Sequence, residues 1–277
     1  MRKLAIGTVV SGALALSALA VPAAQAATPD LVFADVVVNK GRTIVVGTTH
    51  DVTVPVTYTL TRPADLTIDY KNNAAGVMLY RGGLADSDNV IEDDASPTCT
   101  TTATTATTVT QSCSDTLVVD PSSSLFDAAD ATTWKAGGYY GRMDSDLDDS
   151  DDHTSVEYGF AAWGNKGTAK LQRSARLTTD ASPEPVRKGR TLTVTGKLTR
   201  ANWETGSYTG YVSQQAALQF RPKGSDTYST VKTATSSTGG ALRATVTASK
   251  DGYYRYAFAG TSTTAAAKAT GDYVDVQ

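Results

Sequence analysis

Val52-Thr53-Val54-Pro55-Val56-Thr57-Tyr58-Thr59-Leu60 and, in the second half of the chain, Leu192-Thr193-Val194-Thr195-Gly196-Lys197-Leu198 alternate apolar with polar or small residues nearly step by step. In an extended chain successive side chains point to opposite faces, so this period of two marks strands with one buried face. Similar short runs recur, bounded by Gly, Asp, Pro and Ser, at the spacing expected of a β-sandwich. Helical patterning is confined to residues 123–132, where Ser and Asp offer caps and Leu125, Phe126 and Ala129 share a face. The reading is an all-β protein.

Working outward, the second half resolves into seven expected strands: 174–179, 191–199, 216–221, 228–234, 241–248, 253–259 and 272–276. Thr238-Gly239-Gly240 and Lys250-Asp251-Gly252 supply turns that need a positive φ. In Asp251-Gly252-Tyr253-Tyr254-Arg255-Tyr256 the spacing is that of a tyrosine corner, with Tyr254 as the corner and Tyr256 as the core position of the penultimate strand. The cysteine usual there is missing, so packing must join the sheets. Lys40-Gly41-Arg42-Thr43-Ile44 matches Lys188-Gly189-Arg190-Thr191-Leu192, and Leu60-Thr61-Arg62 echoes Leu198-Thr199-Arg200, which suggests two related units. The spacing between the paired matches differs, so the first unit carries an insertion or the match is chance. Gly164-Asn165-Lys166-Gly167 reads as the turn that closes the first unit.

Residues 1–26 have a basic start (Arg2, Lys3), an apolar stretch and the small-residue ending Ala24-Gln25-Ala26, the pattern of a cleaved secretory signal. Gly7, Thr8, Ser11, Gly12, Ser17 and Pro22 dilute and close the apolar stretch, which argues against a membrane anchor. The expected product is secreted and extracellular, without membrane insertion after cleavage. The two cysteines, Cys99 and Cys113, bracket a Thr-rich stretch. In an oxidising compartment they should pair as a staple across the base of a hairpin. A closed loop of about 15 residues contributes on the order of 3 kcal/mol in the chain-entropy picture. A metal site would want more ligands, and a redox pair closer spacing. The same Thr run is a candidate carrier of sugars.

Charge divides the chain. Residues 27–172 carry 9 Lys/Arg against 21 Asp/Glu, and residues 173–277 carry 14 against 7, although the whole chain is only −3. The expected organisation is therefore a signal peptide (1–26), an acidic β-sandwich with long loops (27–172) and a basic immunoglobulin-like β-sandwich (173–277). The acidity peaks in Asp144-Ser145-Asp146-Leu147-Asp148-Asp149-Ser150-Asp151-Asp152. Asp144, Asp146, Asp148, Asp149, Asp151 and Asp152 put six carboxylates in nine residues, whose mutual repulsion a hard, oxygen-seeking cation such as Ca2+ would relieve. Spacing resembles the first ligand positions of an EF-hand, but Asp149 stands where that loop needs Gly and Ser155 where it needs Glu, so this is no EF-hand. The competing reading is a solvated acidic loop. Asp86, Asp88, Glu92, Asp93 and Asp94 form a second acidic stretch.

Catalysis has little support. His50 and His153 lack metal-pair spacing and a neighbouring nucleophile motif. A carboxylate-dependent hydrolase would need two acids held a fixed distance apart, and Glu is scarce. Trp134 and Trp163 are expected to be buried, whereas Trp203, in the polar stretch 201–208, is a candidate for exposure and for stacking on a sugar or a partner. The basic half suits an anionic cell-envelope polymer or another extracellular protein. Nucleic acid is not expected for an exported, net acidic chain.

The signal ending Ala20-Val21-Pro22-Ala23-Ala24-Gln25-Ala26, the stretches 181–186 and 193–203, and Gly252-Tyr253-Tyr254-Arg255-Tyr256-Ala257-Phe258-Ala259-Gly260 together resemble a family of exported actinobacterial proteins. That family is largely uncharacterised, and some of its members are labelled calcium-binding. The resemblance implies a C-terminal immunoglobulin-like module. It implies no active site and no ligand set.

Overall fold

A computed structural model describes residues 28–92, 96–142 and 160–277. The signal-like residues 1–26 lie outside them. Among the described residues nine strands build the first module: β1 (Val32–Val38), β2 (Ile44–Val46), β3 (Val52–Pro63), β4 (Asn73–Gly82), β5 (Ser87–Ile91), β6 (Thr98–Thr104), β7 (Thr108–Val119), β8 (Thr133–Arg142) and β9 (Phe160–Arg173). They form two sheets, ordered β1-β3-β7-β6 and β2-β9-β8-β4-β5. In immunoglobulin lettering these are A-B-E-D and G-F-C, the latter with an added strand at each edge, β2 and β5. β2 pairs with β9 in parallel, while the other strand pairs are antiparallel.

The second module contains β10 (Ala175–Leu177), β11 (Asp180–Ser182), β12 (Thr191–Asn202), β13 (Ser207–Gly210), β14 (Gln215–Pro222), β15 (Ser229–Thr235), β16 (Ala241–Thr247), β17 (Gly252–Phe258), β18 (Ala267–Lys268) and β19 (Asp272–Val274). β10, β11, β13 and β16 pair with β12, while β15-β14-β17-β18 make the opposing sheet with β19 also on β17. The protein is thus all-β, two immunoglobulin-like sandwiches in tandem. The seven strands expected here are all present. β11, β13 and β18, two to four residues each, were not foreseen.

Period-two patterning fills two cores. In β3, Val54, Val56, Tyr58 and Leu60 are buried, and in β12 Leu192, Val194 and Leu198 are. Phe33 of β1 spans the first sandwich, its ring 5.9 Å from Tyr58 on β3 and 5.6 Å from Trp163 on β9. Gly138 permits this approach, because a Cβ there would stand 2.2 Å from the Phe33 ring. The second core is separate, with Leu218, Phe220, Tyr254, Tyr256 and Phe258 packed against Leu192, Val194 and Leu242.

Asp130 anchors the β7–β8 connection of the first module. Its side chain is 0% exposed. One carboxylate oxygen accepts from Arg81 Nε (2.9 Å) and Asn89 Nδ2 (3.2 Å), the other from the Phe126 (2.7 Å) and Asp127 (3.3 Å) amides. The Asp130 carbonyl accepts from Trp134 Nε1 at 2.8 Å. Burial of a charge is tolerated here because every lone pair is used. Of the helix expected over 123–132, a single 3-10 turn at Ala128–Asp130 forms, capped by Asp127. Saturating Asp130 leaves the loop no reason to wind further.

Cys99 and Cys113 are bonded and sit directly opposite on β6 and β7, the expected staple of a Thr-rich hairpin. Gly164-Asn165-Lys166-Gly167 does not end the unit. It lies inside β9 as a bulge, the register against β8 shifting between Ala136 and Gly138 and Asn165 taking φ 57°. The Tyr80 hydroxyl accepts from the Asn165 amide at 3.0 Å, in space that a side chain at 164 would occupy. The two Lys-Gly-Arg turns precede different strands, β2 in one module and β12 in the other, whereas Leu60 and Leu198 lie on corresponding strands, β3 and β12. β2 and the stretch after it account for the longer first spacing.

The penultimate strand also departs from expectation. Tyr254 is buried against the Phe220 ring (4.7 Å), but the structural hydrogen bond belongs to Tyr256, whose hydroxyl donates to the Val194 carbonyl at 2.9 Å across the sandwich. Desolvation pushes the Tyr256 hydroxyl up to about 12. The bond therefore ties the two sheets together, where a cysteine pair would in an antibody domain.

Candidate functional site

The expected metal ligands Asp144, Asp146, Asp148, Asp149, Asp151 and Asp152 lie outside the described residues, as do Asp93, Asp94 and His153. β8 and β9, which flank the acidic run in sequence, pair as far as Gly141 opposite Phe160. Among the described residues no group of three His, Cys, Asp or Glu converges as metal ligands. Asp88 of the second acidic stretch pairs with Arg81 at 3.2 Å, and His50 is exposed. No helix among the described residues is long and apolar enough to cross a membrane.

Two places bear on the hydrolase alternative. An open hollow of about 350 Å3 lies against β3 and β7, and Asp115 is its one carboxylate. Elsewhere Glu184 is held above its ordinary pKa by desolvation and by the charges of Asp272 and Asp180. Asp272 also accepts from the Ala181 amide at 2.7 Å. These carboxylates are not in the hollow, and Glu184 is exposed.

Trp203 is not exposed. It is 5% accessible and packs into the core of the first module although it comes from the second. Its Nε1 donates to the Gly47 carbonyl at 2.9 Å. The Arg173 guanidinium lies 5.2 Å over its ring. Backbone bonds continue the joint, from the Arg173 amide to Thr263 O (3.0 Å), Ser174 to Val46 O (2.8 Å), Ala201 to Ser174 O (2.8 Å) and Ala265 to Arg173 O (2.9 Å). Desolvation, then the charge of Arg200, lowers the Arg173 pKa. The stacking residue expected from a polar sequence is thus a structural one.

The second module's charge instead organises around tyrosines to which sequence reading assigned no role of their own. Arg176 lies 3.6 Å over the Tyr208 ring, Arg200 4.1 Å over Tyr211, Arg221 4.0 Å over Tyr253 and Arg255 3.7 Å over Tyr228. Arg221 is also 5.3 Å over Tyr228, and Lys223 is 5.4 Å over Tyr273. Strand register explains part of this: Arg221 is directly across from Tyr253, and Tyr253 from Tyr273. Hydrogen bonding to Tyr228 raises the Arg221 pKa, and hydrogen bonding to Tyr273 raises that of Lys223. Among the described residues the ion pairs are Arg81–Asp88, Arg81–Asp130 and Lys223–Asp251, so none of the four stacked arginines has a carboxylate partner. The alternation Tyr253, Arg255 on the outward side of β17 was visible in sequence; the cross-strand partners were not.

No family model and no curated protein matches the chain. Among solved structures, domains A168–A170 of titin align over 89% of this chain and 68% of that one, at 9% identity and a TM-score of 0.24. The mouse nectin-like molecule 4 ectodomain (Ig1–Ig3) aligns over 90% of this chain and 64% of that one, at 14% identity and a TM-score of 0.22. The chain spans about two thirds of each. The fold assignment rests on strand order and register.

Proposed function

We propose that the protein is a secreted, non-catalytic extracellular binding protein whose basic second module docks on an anionic polymer of the cell envelope. The observation that carries this reading is the set of four arginines stacked on tyrosine rings with no carboxylate ion-pair partner among the described residues. Guanidinium is weakly hydrated and already ordered by stacking, so an incoming anion costs it little desolvation or rotamer entropy. Binding of the chain to an anionic polymer should weaken steeply between low and physiological salt, as screening requires. Salt-independent retention, or equal retention on a neutral polysaccharide, would contradict the reading.

A second reading concerns calcium and rests on the six carboxylates between β8 and β9 in sequence. Calcium at millimolar levels would then raise the melting temperature, by linkage to the folded state, and Asn at all six positions would abolish the shift. An unchanged melting temperature for the parent chain would discard it.

A further inference from the structure

The docking reading leaves open which face binds and which anion it selects. The geometry points to the outward face of β14, β17 and β19, centred on Arg221, Arg255, Tyr228 and Tyr253, as a site for a phosphate-bearing polymer. The inference rests on the docking reading.

Two arginines share one ring. Arg255 lies 3.7 Å and Arg221 5.3 Å from the centre of Tyr228. Arg255 Nε donates to Gln219 Oε1 at 2.9 Å, and Arg221 donates from a terminal nitrogen to the Ser225 carbonyl at 2.5 Å besides its hydrogen bond with Tyr228. A guanidinium has five N–H donors, so both keep donors for a ligand. The neighbouring acid Asp251 is occupied elsewhere, accepting from the Val276 amide (3.0 Å) and the Tyr273 hydroxyl (3.2 Å) and pairing with Lys223 (3.5 Å). Asp226 is exposed and outside ion-pair distance of Arg221.

What the face offers decides the ligand class. Tyr228, Tyr253 and Tyr273 each have a cation over the ring, so a sugar or a nucleobase finds those faces taken. The remaining recognition elements are the N–H edges of the guanidinium forks. Two forks beside one ring can be satisfied together by a tetrahedral phosphate, whose oxygens lie in more than one plane, whereas a planar carboxylate matches one fork. A polymer rather than a free ion is the occupant that the docking reading supplies; the other stacked arginines, Arg176 on β10 and Arg200 on β12, belong to the opposing sheet.

The test is titration of the purified chain with inorganic polyphosphate, poly-L-glutamate and single-stranded DNA at matched charge and low salt. Polyphosphate should bind several-fold more tightly than poly-L-glutamate, and DNA no better than polyphosphate. The double variant Arg221→Gln/Arg255→Gln should lose about tenfold in polyphosphate affinity, while Arg187→Gln/Arg190→Gln, equal in charge but in the turn before β12, should lose about twofold or less. Arg221→Lys/Arg255→Lys keeps the charge without the fork. It should still bind but lose the preference for phosphate. Equal losses in the two Gln variants, no phosphate preference in the parent, or tighter DNA binding would each overturn the inference. If binding stays salt-sensitive but ignores Arg221 and Arg255, only the assigned face fails; if neither polyphosphate nor poly-L-glutamate binds at low salt, the docking reading fails as well.

Discussion

The two sandwiches solve one architectural problem with opposite placements of polar chemistry. The first buries it: Asp130, Arg81 and Asn89 are bonded into the base of the fold, and a disulfide closes its hairpin. The second ties its sheets with one buried tyrosine hydroxyl and sets its arginines on tyrosines at the surface. A polar group bonded inside the core becomes part of the structure, whereas a stacked surface cation retains donors and can meet a ligand.

The sharpest way to break this contrast is at Asp130. Asp130→Ala strands the Phe126 and Asp127 amides, leaves Asn89 with the Ser124 carbonyl and Arg81 with Asp88, and should destabilise the first module by about 3–5 kcal/mol. Amide hydrogen exchange resolved by module should show the loss in β4, β5 and β8, with β14 and β17 retaining their protection. Equal loosening of both modules would mean that they fold as one unit and that the contrast is false.

A smaller effect is expected at Tyr256. Tyr256→Phe removes the bond to Val194 O across the sandwich, at a cost of about 0.5–1.5 kcal/mol confined to the second module. Tyr254→Phe should be near neutral, since packing on Phe220 survives. If the Tyr254 variant were the costlier, the corner assignment read from sequence would be restored.

The smallest effect is in acid. Asp69 is lowered to about 2 by the Asn72 and Lys71 amides, and Asp120 is lowered by Ser122 and Ser123, both in turns of the first module. Depressed carboxylates contribute stability above their unfolded pKa near about 4, and lose it as pH falls through the folded value. In the second module Asp251 is depressed, chiefly by the Val276 amide, but Glu184 is raised and has the opposite sign, its contribution present at low pH and lost on going up. Between about pH 4 and 2 the first module should therefore open more than the second. Exchange rates across that interval read this directly, and a second module that opened first would reverse the comparison.

Much of the architecture was legible because β3, β12, β14 and β17 alternate in sequence, and the last three end at glycine-bearing turns. What escaped notice depends on distant partners. β11, β13 and β18 are short strands whose pairing is imposed by β12 and β17 rather than by their own residues. Gly164 to Gly167 carries turn chemistry yet forms a bulge, because Tyr80 on another strand fills the space and binds the Asn165 amide. Trp203 sits among polar neighbours, and nothing local signals that Gly47 of the other module receives it. At the candidate site the charge of the second half was plain, but the pairing of Arg221 and Arg255 with Tyr228 is a product of register and of the β14–β15 turn.

The most direct test of the account is a footprint. Amide exchange of the chain, measured with and without saturating polyphosphate, should show protection confined to β14, β17 and the connection that carries Lys223 and Tyr228, with the first module unchanged. Protection centred on the first module's strands, or none anywhere at saturation, would contradict it.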